Sequence, residues 1–318
     1  MRKVYILNLW QDCMIFKVDS GAERLAWDTH NHLQTSGDVN RMNFNRTLDR
    51  AVNRLRGEVS YRGVLGVTNF IDDMDKKDDR YEMFSEMPGY ERCTFSNGFY
   101  VPSKGIWVVK SQEVPTDVKG HEVHLLVVGL PAGEHVKPGR PLEDTMKEGK
   151  DLGGKLVFDH PGYTHGILPH LLDDPDLLIR VMPYADGWEV FNASAAFNLG
   201  PFPVVSRVFP PKANASSMSF YNEVIKPNYP HVKPLKSSDG HSLEEIGRAY
   251  TVSDIPRAEV NRIEENGERL VDALFRGVVS DMGKTTGSRM RCALHAAAVI
   301  KENGIMNTLG RFVRKKQE

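Results

Sequence analysis

The sequence is poor in cysteine, has almost no net charge and contains no long apolar segment. Its three cysteines, Cys13, Cys93 and Cys292, form no Cys-x-x-Cys pair, which argues against a disulfide framework and against a zinc site built from cysteine. The formal net charge of -1 provides no long-range attraction for a polyanion, so nucleic-acid binding would need a local basic patch.

No stretch of the chain approaches the ~20 consecutive apolar residues that a membrane-spanning helix needs. The N-terminal segment is interrupted by Gln11 and Asp12, and it lacks the continuous apolar region and the cleavage site of a secretory signal. We therefore expect a cytoplasmic protein without a membrane partner. At 318 residues, with 40% hydrophobic and 26% charged residues, the chain has the composition of a globular enzyme and the length for a barrel-sized core.

What the sequence does contain is a series of histidines and carboxylates near the ends of predicted strands. In an extended segment, His30 and His32 would point to the same face, because side chains on a strand alternate with a period of two. Imidazole nitrogens and carboxylate oxygens are ligands that divalent transition metals accept. The pattern therefore predicts a multinuclear metal site. The further members of the series are Glu113, His124, Asp159, His160, Asp239 and His241.

A single histidine beside an apolar run is more often a hydrogen-bonded core or surface residue than a metal ligand. Here five of the 11 histidines lie beside strand-like segments with acidic residues nearby, and this accumulation favours a shared site. The other six are interpreted as ordinary structural residues, with His165 and His231 as secondary candidates for the cleft.

Strand-like and helix-like segments alternate along most of the chain, which predicts a largely parallel sheet. Ligands at the carboxyl ends of several strands favour a barrel. We expect residues 1–255 to form this barrel, with residues 1–23 as an N-terminal hairpin extension. Residues 256–318 are predicted to be a helical segment that packs on the barrel. The predicted strands include residues 24–32, 63–71, 106–114, 122–130, 155–161 and 187–194, and a helix is predicted over residues 41–58.

In this order, the motifs resemble those of the PHP (polymerase and histidinol phosphatase) family of metal-dependent phosphoesterases. The stretch DTHNHLQTSGD (residues 28–38) is similar to the Asp-x-His-x-His motif of the family, and Glu113 and His124 are similar to its glutamate and hairpin histidine. FDHPGY (158–163) resembles its Ala-His-Pro motif. SSDGH (237–241) resembles its closing Asp-x-His, which would be followed by a helix beginning at Ser242.

The resemblance implies an α/β fold, namely a distorted (β/α)7 TIM-like barrel of the PHP type with extra C-terminal helices. It also implies two or three divalent ions at the C-terminal mouth of the barrel, and manganese, iron and zinc all suit such mixed ligands. One ion would be held by His30, His32, Glu113 and Asp239. The second would be held by His124, His160 and Glu113, which would bridge the two ions. A third would involve Asp38 and His241.

The sequence departs from the family at the second motif, where Thr-Asp-His is usual and Thr68, Asn69 and Phe70 occur here. Phe70 replaces the histidine that would help to bind a third ion. We therefore expect two ions, with the third site weak, rebuilt or missing. His241 would then contact the substrate phosphate or protonate the leaving oxygen, and Glu113, Asp239 and His241 are the predicted catalytic residues.

The predicted function is that of a metal-dependent phosphoric ester hydrolase, a PHP-type phosphatase acting on a small-molecule phosphate monoester through a hydroxide that bridges two ions. Arg180, Arg207 and Lys236 are candidates for orienting the phosphate. Two alternatives stay open. One is a nuclease or nucleotide phosphodiesterase acting on nucleic-acid ends, against which the near-zero net charge argues. The other is a degenerate, non-catalytic metal-binding module. The sequence identifies neither the substrate nor the oligomeric state.

Overall fold

The computed structural model describes residues 21–33, 44–55, 62–72, 74, 79–163, 165–195, 212–267 and 270–285. Three predictions fall wholly or mostly outside these residues. They are the assignment of Asp38 to a third metal site, the N-terminal hairpin and the part of the C-terminal helical segment beyond residue 285.

The described strands and helices alternate over most of the chain. The strands are β1 (Ala22–Asp28), β2 (Arg62–Phe70), β3 (Cys93–Phe95), β4 (Gly98–Val101), β5 (Ile106–Val118), β6 (His121–Val128), β7 (Lys155–Phe158), β8 (Gly187–Asn192), β9 (Lys233–Ser237), β10 (Ala249–Pro256) and β11 (Lys284–Thr285). The helices are α1 (Phe44–Leu55), α2 (Arg80–Glu86), α3 (Leu142–Asp151), α4 (Leu168–Asp173), α5 (Pro175–Val181), α6 (Ala213–Phe220), α7 (Lys226–Asn228), α8 (Arg257–Asn266) and α9 (Leu270–Arg276), with a π-helical turn at Tyr221–Ile225 between α6 and α7.

Seven strands form a nearly closed ring in the order β1-β2-β5-β6-β7-β8-β9. The pairs β1–β2, β2–β5, β7–β8 and β8–β9 are parallel, whereas β6 runs antiparallel to both of its neighbours. Beyond β9 the ring returns to β1: the Gly240 amide donates to the carbonyl of His30 at 3.2 Å, and the His32 amide donates to the carbonyl of Gly240 at 2.8 Å. The predicted distorted seven-stranded α/β barrel is therefore confirmed, and the reversed β6 is part of its distortion.

The segment after His241 corrects the sequence prediction, because no helix begins at Ser242. Residues 241–248 form turns, and Gly247 adopts a left-handed conformation with φ of 64°, which interrupts helical geometry. The β-branched and aromatic residues that follow favour a strand. This strand, β10, pairs antiparallel with β1 outside the ring and ends at Pro256, beside the predicted boundary between residues 255 and 256.

Helices cover the outside of the ring by burying apolar stripes. In α1, Phe44, Leu48 and Leu55 recur at helical spacing and are buried in one cluster with Leu65 and Val67 of β2. Burial of each such side chain contributes about 1.5–3 kcal/mol. Extra C-terminal helices are present in α8 and α9, whose apolar residues share a cluster with strands β1 and β5.

The end of β1 lies unusually close to β2 at a glycine. A Cβ added to Gly66 would be 2.3 Å from the Cα of Thr29, so no larger residue fits without moving the backbone. This close approach brings the segment that follows β1 over the mouth of the barrel. Within the described residues, no helix combines the length and the apolar composition that crossing a membrane requires.

Candidate metal centre

The first group of candidate ligands lies where β1 and β9 end. Nε2 of His30 and Nε2 of His32 are 3.3 Å apart, and they lie 3.5 and 3.6 Å from the same oxygen, Oδ1 of Asp239. Oε2 of Glu113 lies 2.9 Å from Nε2 of His32 and 3.7 Å from Nε2 of His30. Four ligand atoms from three separate segments therefore converge on one small volume.

The second group surrounds the other oxygen of the same glutamate. Oε1 of Glu113 lies 2.5 Å from Nδ1 of His124 and 3.2 Å from Nε2 of His160. The reversed direction of β6 explains the position of His124, because it brings the start of β6 to the mouth where β5 delivers Glu113. Asp159 belongs to this group as well, with Oδ2 3.5 Å from Nε2 of His160.

Glu113 therefore lies between the two groups and presents one carboxylate oxygen to each. Its side chain is 6% exposed, and it comes from β5, which lies between β2 and β6 in the ring. A carboxylate in this position has the geometry of a bridging ligand, because its two oxygens face opposite groups of imidazoles.

The electrostatics of the cluster favour the binding of a cation. Burial, together with the charge of His241, lowers the pKa of His32 to about 3. Burial would also lower the pKa of His124, but the adjacent Glu113 carboxylate raises it to about 10. Burial raises the pKa of Asp159 to about 7. Neighbouring groups thus favour opposite protonation states, and a bound cation would stabilise both the charged carboxylates and the neutral imidazoles.

The donor set therefore fits divalent metal ions. Both carboxylate oxygens of Asp159, together with Nδ1 of His32 and Nδ1 of His160, are buried without a hydrogen-bond partner among the described residues. Buried polar atoms are normally hydrogen-bonded, so two unpaired carboxylate oxygens on Asp159, in one group with Glu113, His124 and His160, indicate a place for a cation. Mixed imidazole and carboxylate groups suit manganese, iron or zinc.

Residues behind the ligands hold them in place. Glu189, buried in β8, accepts hydrogen bonds from the His160 amide at 2.7 Å and from Oγ of Ser237 at 2.5 Å, and its Oε1 lies 3.1 Å from Nδ1 of His30. Asp28 does not face the centre. Its carboxylate accepts from the amides of Ser238 and Gly247, both at 3.0 Å, and so fixes the segment that carries Asp239.

Two of the candidate ligands adopt a backbone conformation that non-glycine residues seldom use. Asp239 has φ of 49° and His160 has φ of 29°. Such conformations cost of order 1–3 kcal/mol each and persist where the surrounding structure imposes them. Glu189 provides part of that constraint at His160, since it binds the amide of that residue.

His241 and Phe70, the described residues at the positions of the third metal site, do not form a third set of ligands. His241 stacks on His32, with 4.6 Å between ring centroids, and its Nε2 lies 3.4 Å from Oδ1 of Asp239. The ring of Phe70 lies 6.2 Å from that of His32 and 5.7 Å from that of His124. The phenyl ring of Phe70 therefore packs against one imidazole of each group.

The secondary candidates for the cleft and for phosphate binding differ in their surroundings. His165 lies beside the centre, where it stacks on His124 at 4.8 Å and its Nδ1 is 3.4 Å from Oε1 of Glu122. His231 instead contacts the carbonyl of Met182. Arg180 forms ion pairs with Glu143 and Asp174, and Lys236 donates to the carbonyl of Met282, so both cations have partners outside the centre. Arg207 lies outside the described residues.

Sequence reasoning missed three contributors to this site. Asp159 was in the ligand series but not among the ligands of the second ion, although its position next to His160 was a signal. Oε1 of Glu122 lies 3.1 Å from Nε2 of His124, and these residues share one face of β6 because they are two positions apart. Glu245 accepts from the His241 amide at 2.9 Å, and the incorrect expectation of a helix concealed this contact.

Comparison with known proteins finds a likeness in structure alone. No family model matches the chain, and no curated protein matches it. A two-domain protein from Bacteroides vulgatus that contains a predicted PHP-like metal-dependent phosphoesterase is 15% identical over 87% of this chain and 71% of its own, with a TM-score of 0.48. PsfC from Pseudomonas syringae is 17% identical over 89% and 100%, with a TM-score of 0.49.

A third similar structure is the lesion-specific endonuclease PfuEndoQ from Pyrococcus furiosus, which is 13% identical over 78% of this chain and 56% of its own, with a TM-score of 0.42. At these identities and TM-scores the likenesses do not identify an activity or a substrate for this chain.

Proposed function

We propose that this chain, whose motifs resemble those of the PHP family, is a metal-dependent phosphoesterase that hydrolyses a small-molecule phosphate monoester. The observation that carries the proposal is the position of Glu113, which directs one carboxylate oxygen at His30 and His32 and the other at His124 and His160. Two such groups joined by one carboxylate are suited to a pair of divalent ions.

His30, His32 and Asp239 would hold one ion and His124 and His160 the other, with Glu113 shared between them. When bound, two such ions supply a water that is activated for attack near neutral pH and positive charge against the phosphoryl oxygens. The imidazoles serve as neutral donors and so leave the positive charge of the centre largely uncompensated. Manganese, iron or zinc would serve.

The remaining residues of the centre bind and orient the substrate. The side chain of His241 is 17% exposed, against 0% for His30 and 2% for His32, so His241 lies on the open side of the cluster. Asp239 contacts Nε2 of His241 and would stabilise the protonated imidazole. We assign His241 to the phosphate or to the leaving oxygen, to which it would deliver a proton from Nε2.

A small phosphorylated metabolite is favoured over a nucleic acid because the chain has a net charge of only -1. A protein that binds a polyanion generally uses clustered lysines and arginines, and its affinity falls steeply with salt. We likewise propose a cytoplasmic location, where phosphorylated metabolites are abundant and the three cysteines would stay reduced.

The test combines metal analysis with hydrolysis of two model substrates. Metal content per chain would be measured on purified protein, and turnover of p-nitrophenyl phosphate and bis-p-nitrophenyl phosphate would be followed with added manganese. About two ions per chain and a preference for the monoester are expected.

The outcomes separate the three classes of function. A preference for the diester, together with an oligonucleotide affinity that falls with salt, would favour the nuclease hypothesis over this proposal. Tight binding of ions with no turnover of either substrate would favour a non-catalytic binding module. A variant Glu113→Gln with undiminished turnover would refute the assignment of the bridging carboxylate, whereas the exposed Glu265→Gln on α8 should behave as the parent protein.

A further inference from the structure

We propose that Asp159 is a ligand of the ion held by His124 and His160, a role that the motifs do not assign to it. The inference rests on the metal centre of the proposed function but not on the identity of the substrate. It makes the acidic residue before His160 a part of the centre, where the corresponding family motif has alanine.

The first observation is that the Asp159 carboxylate is buried without a hydrogen-bond partner. Its relative exposure is 0%, and neither carboxylate oxygen has a hydrogen-bond partner among the described residues. A buried carboxylate in this state is costly, and natural proteins retain such groups where a cation or hydrogen-bond donors compensate them. Compensation by hydrogen bonds is missing here, and the basic group beside the carboxylate is His160, itself a candidate ligand, at 3.5 Å. A cation shared by Asp159 and His160 would compensate the carboxylate and leave the imidazole neutral.

A second buried aspartate, Asp28, has a structural role and serves as a comparison. Asp28 is also 0% exposed, but its two oxygens accept hydrogen bonds from the amides of Ser238 and Gly247. Those contacts connect β1 to the segments around Asp239. Asp159 makes no comparable bond that would explain its burial by the needs of the fold.

The second observation is the direction of the Asp159 side chain. Oδ2 lies 3.5 Å from Nε2 of His160, the same nitrogen that lies 3.2 Å from Oε1 of Glu113. One ligand atom from each of Glu113, His124, Asp159 and His160 lies within 4.8 Å of every other. Distances of this size separate donor atoms that share one cation.

Asp159 also makes the two halves of the centre chemically equivalent. The first half consists of two imidazoles, the carboxylate of Asp239 and one oxygen of Glu113. With Asp159, the second half likewise consists of two imidazoles, a carboxylate of its own and the other oxygen of Glu113. Each ion would then be neutralised to a similar extent, so that both sites fill under similar conditions.

The test compares Asp159→Asn with Asp28→Asn, because both remove one buried carboxylate with little change in volume. Thermal unfolding would be measured on each protein freed of metal and on each protein loaded with manganese. Metal affinity would be determined by competition with a chelator, and metal content by elemental analysis.

For Asp159→Asn we expect metal-free protein that melts within about 2 °C of the metal-free parent or above it, because an uncompensated charge has been removed. Its affinity for one of the two ions should fall by more than about tenfold, and the gain in melting temperature on adding manganese should shrink accordingly. Asp28→Asn should instead melt lower in both forms.

Three results would overturn the inference. One is parent-like affinity for both ions in Asp159→Asn, and another is a metal-free melting temperature lowered as much as that of Asp28→Asn. The third is failure of metal-free Asp159→Asn to fold under conditions where the metal-free parent folds. The proposed activity is judged separately on the parent protein, because two bound ions without phosphoester turnover would refute the activity and leave the role of Asp159 standing.

Discussion

Oε1 of Glu189 lies 3.1 Å from Nδ1 of His30, and both side chains are almost completely buried. The contact joins β8 to the segment after β1, across residues that are 159 positions apart in the sequence. Because Nδ1 of His30 faces the carboxylate, Nε2 faces the candidate ligands with its lone pair free for a metal ion. A carboxylate behind a ligating histidine fixes the tautomer and the orientation of the ring.

Replacement of Glu189 by glutamine is therefore expected to weaken metal binding without removing a direct ligand. The affinity of the centre should fall by about 10 to 100-fold, as is typical when the partner of a ligating histidine is lost. Chelator competition would measure this change. Parent-like affinity in Glu189→Gln would show that the contact with His30 does not orient the ligand, and the exposed Glu265→Gln serves as the matched control.

Loss of the bridging carboxylate should affect both ions at once. For Glu113→Gln we expect turnover of p-nitrophenyl phosphate to fall by at least about 100-fold, because ion-based stabilisation of the transition state contributes several kcal/mol. Elemental analysis should show fewer than two ions per chain, and chelator competition should show that any ion that remains is bound more weakly than in the parent protein. Loss of one ion with full retention of the other would indicate that Glu113 serves a single site.

Phe70 is expected to limit the centre to two ions. Its ring packs near those of His32 and His124, and phenyl carbon atoms offer no ligand. Phe70→His should add an imidazole at this position and raise the metal content above that of the parent protein, as measured by elemental analysis after loading with manganese. Phe70→Leu is the control and should leave the content unchanged. Three ions in the parent protein would contradict this prediction.

An ion pair beside the barrel should make stability depend on acid pH. Nζ of Lys110 lies 2.5 Å from Oε1 of Glu82, which also accepts from the Gly133 amide, while Oε2 accepts from Nδ2 of Asn69. Burial would raise the pKa of Glu82, but hydrogen bonds from Lys110 and Asn69 hold it below the ordinary value. Burial lowers the pKa of Lys110, and the titration of its ammonium group changes stability with pH only in the alkaline range.

Because the pKa of Glu82 is lowered in the folded protein, its contribution to stability is complete above the ordinary glutamate pKa of about 4.3 and is lost as the pH falls below it. The difference in unfolding free energy between the parent and Glu82→Gln should therefore be largest near neutral pH and should shrink in acid. Denaturant titrations of metal-free protein would measure it. The exposed Glu86→Gln on the same helix should show no such pH dependence, and a difference that grows in acid would refute the assignment.

The approach of β1 to β2 is expected to tolerate only glycine at position 66. In Gly66→Ala the new Cβ would lie 2.3 Å from the Cα of Thr29, so the segment that carries His30 must move. We expect a loss of about 2 kcal/mol or more in unfolding free energy, together with weaker metal binding. In Gly133→Ala the new Cβ meets no atom within 4 Å, so only backbone strain of about 1 kcal/mol is expected. An equal loss in both variants would argue against the steric explanation.

Much of the barrel could be predicted from local patterns. The apolar spacing of residues 41–58 predicted a helix, and α1 spans Phe44–Leu55. The apolar run at residues 63–71 predicted a strand, and β2 spans Arg62–Phe70. The incorrect helix after Ser242 had a different origin, because it was carried over from the family resemblance. The left-handed Gly247 and the pairing of β10 with β1 determine the structure there, and the second of these is a long-range contact.

The candidate site, like the fold, could be predicted from the sequence only in part. The chemical types of the ligands, their order along the chain and the shared direction of His30 and His32 follow from the sequence, because they depend on residue identity and on the period of an extended backbone. The family resemblance implied the bridging role of Glu113. Only the tertiary structure decided which of its oxygens faces each group, that Glu189 lies behind His30 and that Asp159 has no hydrogen-bond partner among the described residues. Those relationships depend on the register and closure of the ring, which bring segments more than 100 residues apart to within a few ångströms, and local sequence patterns do not encode such distances.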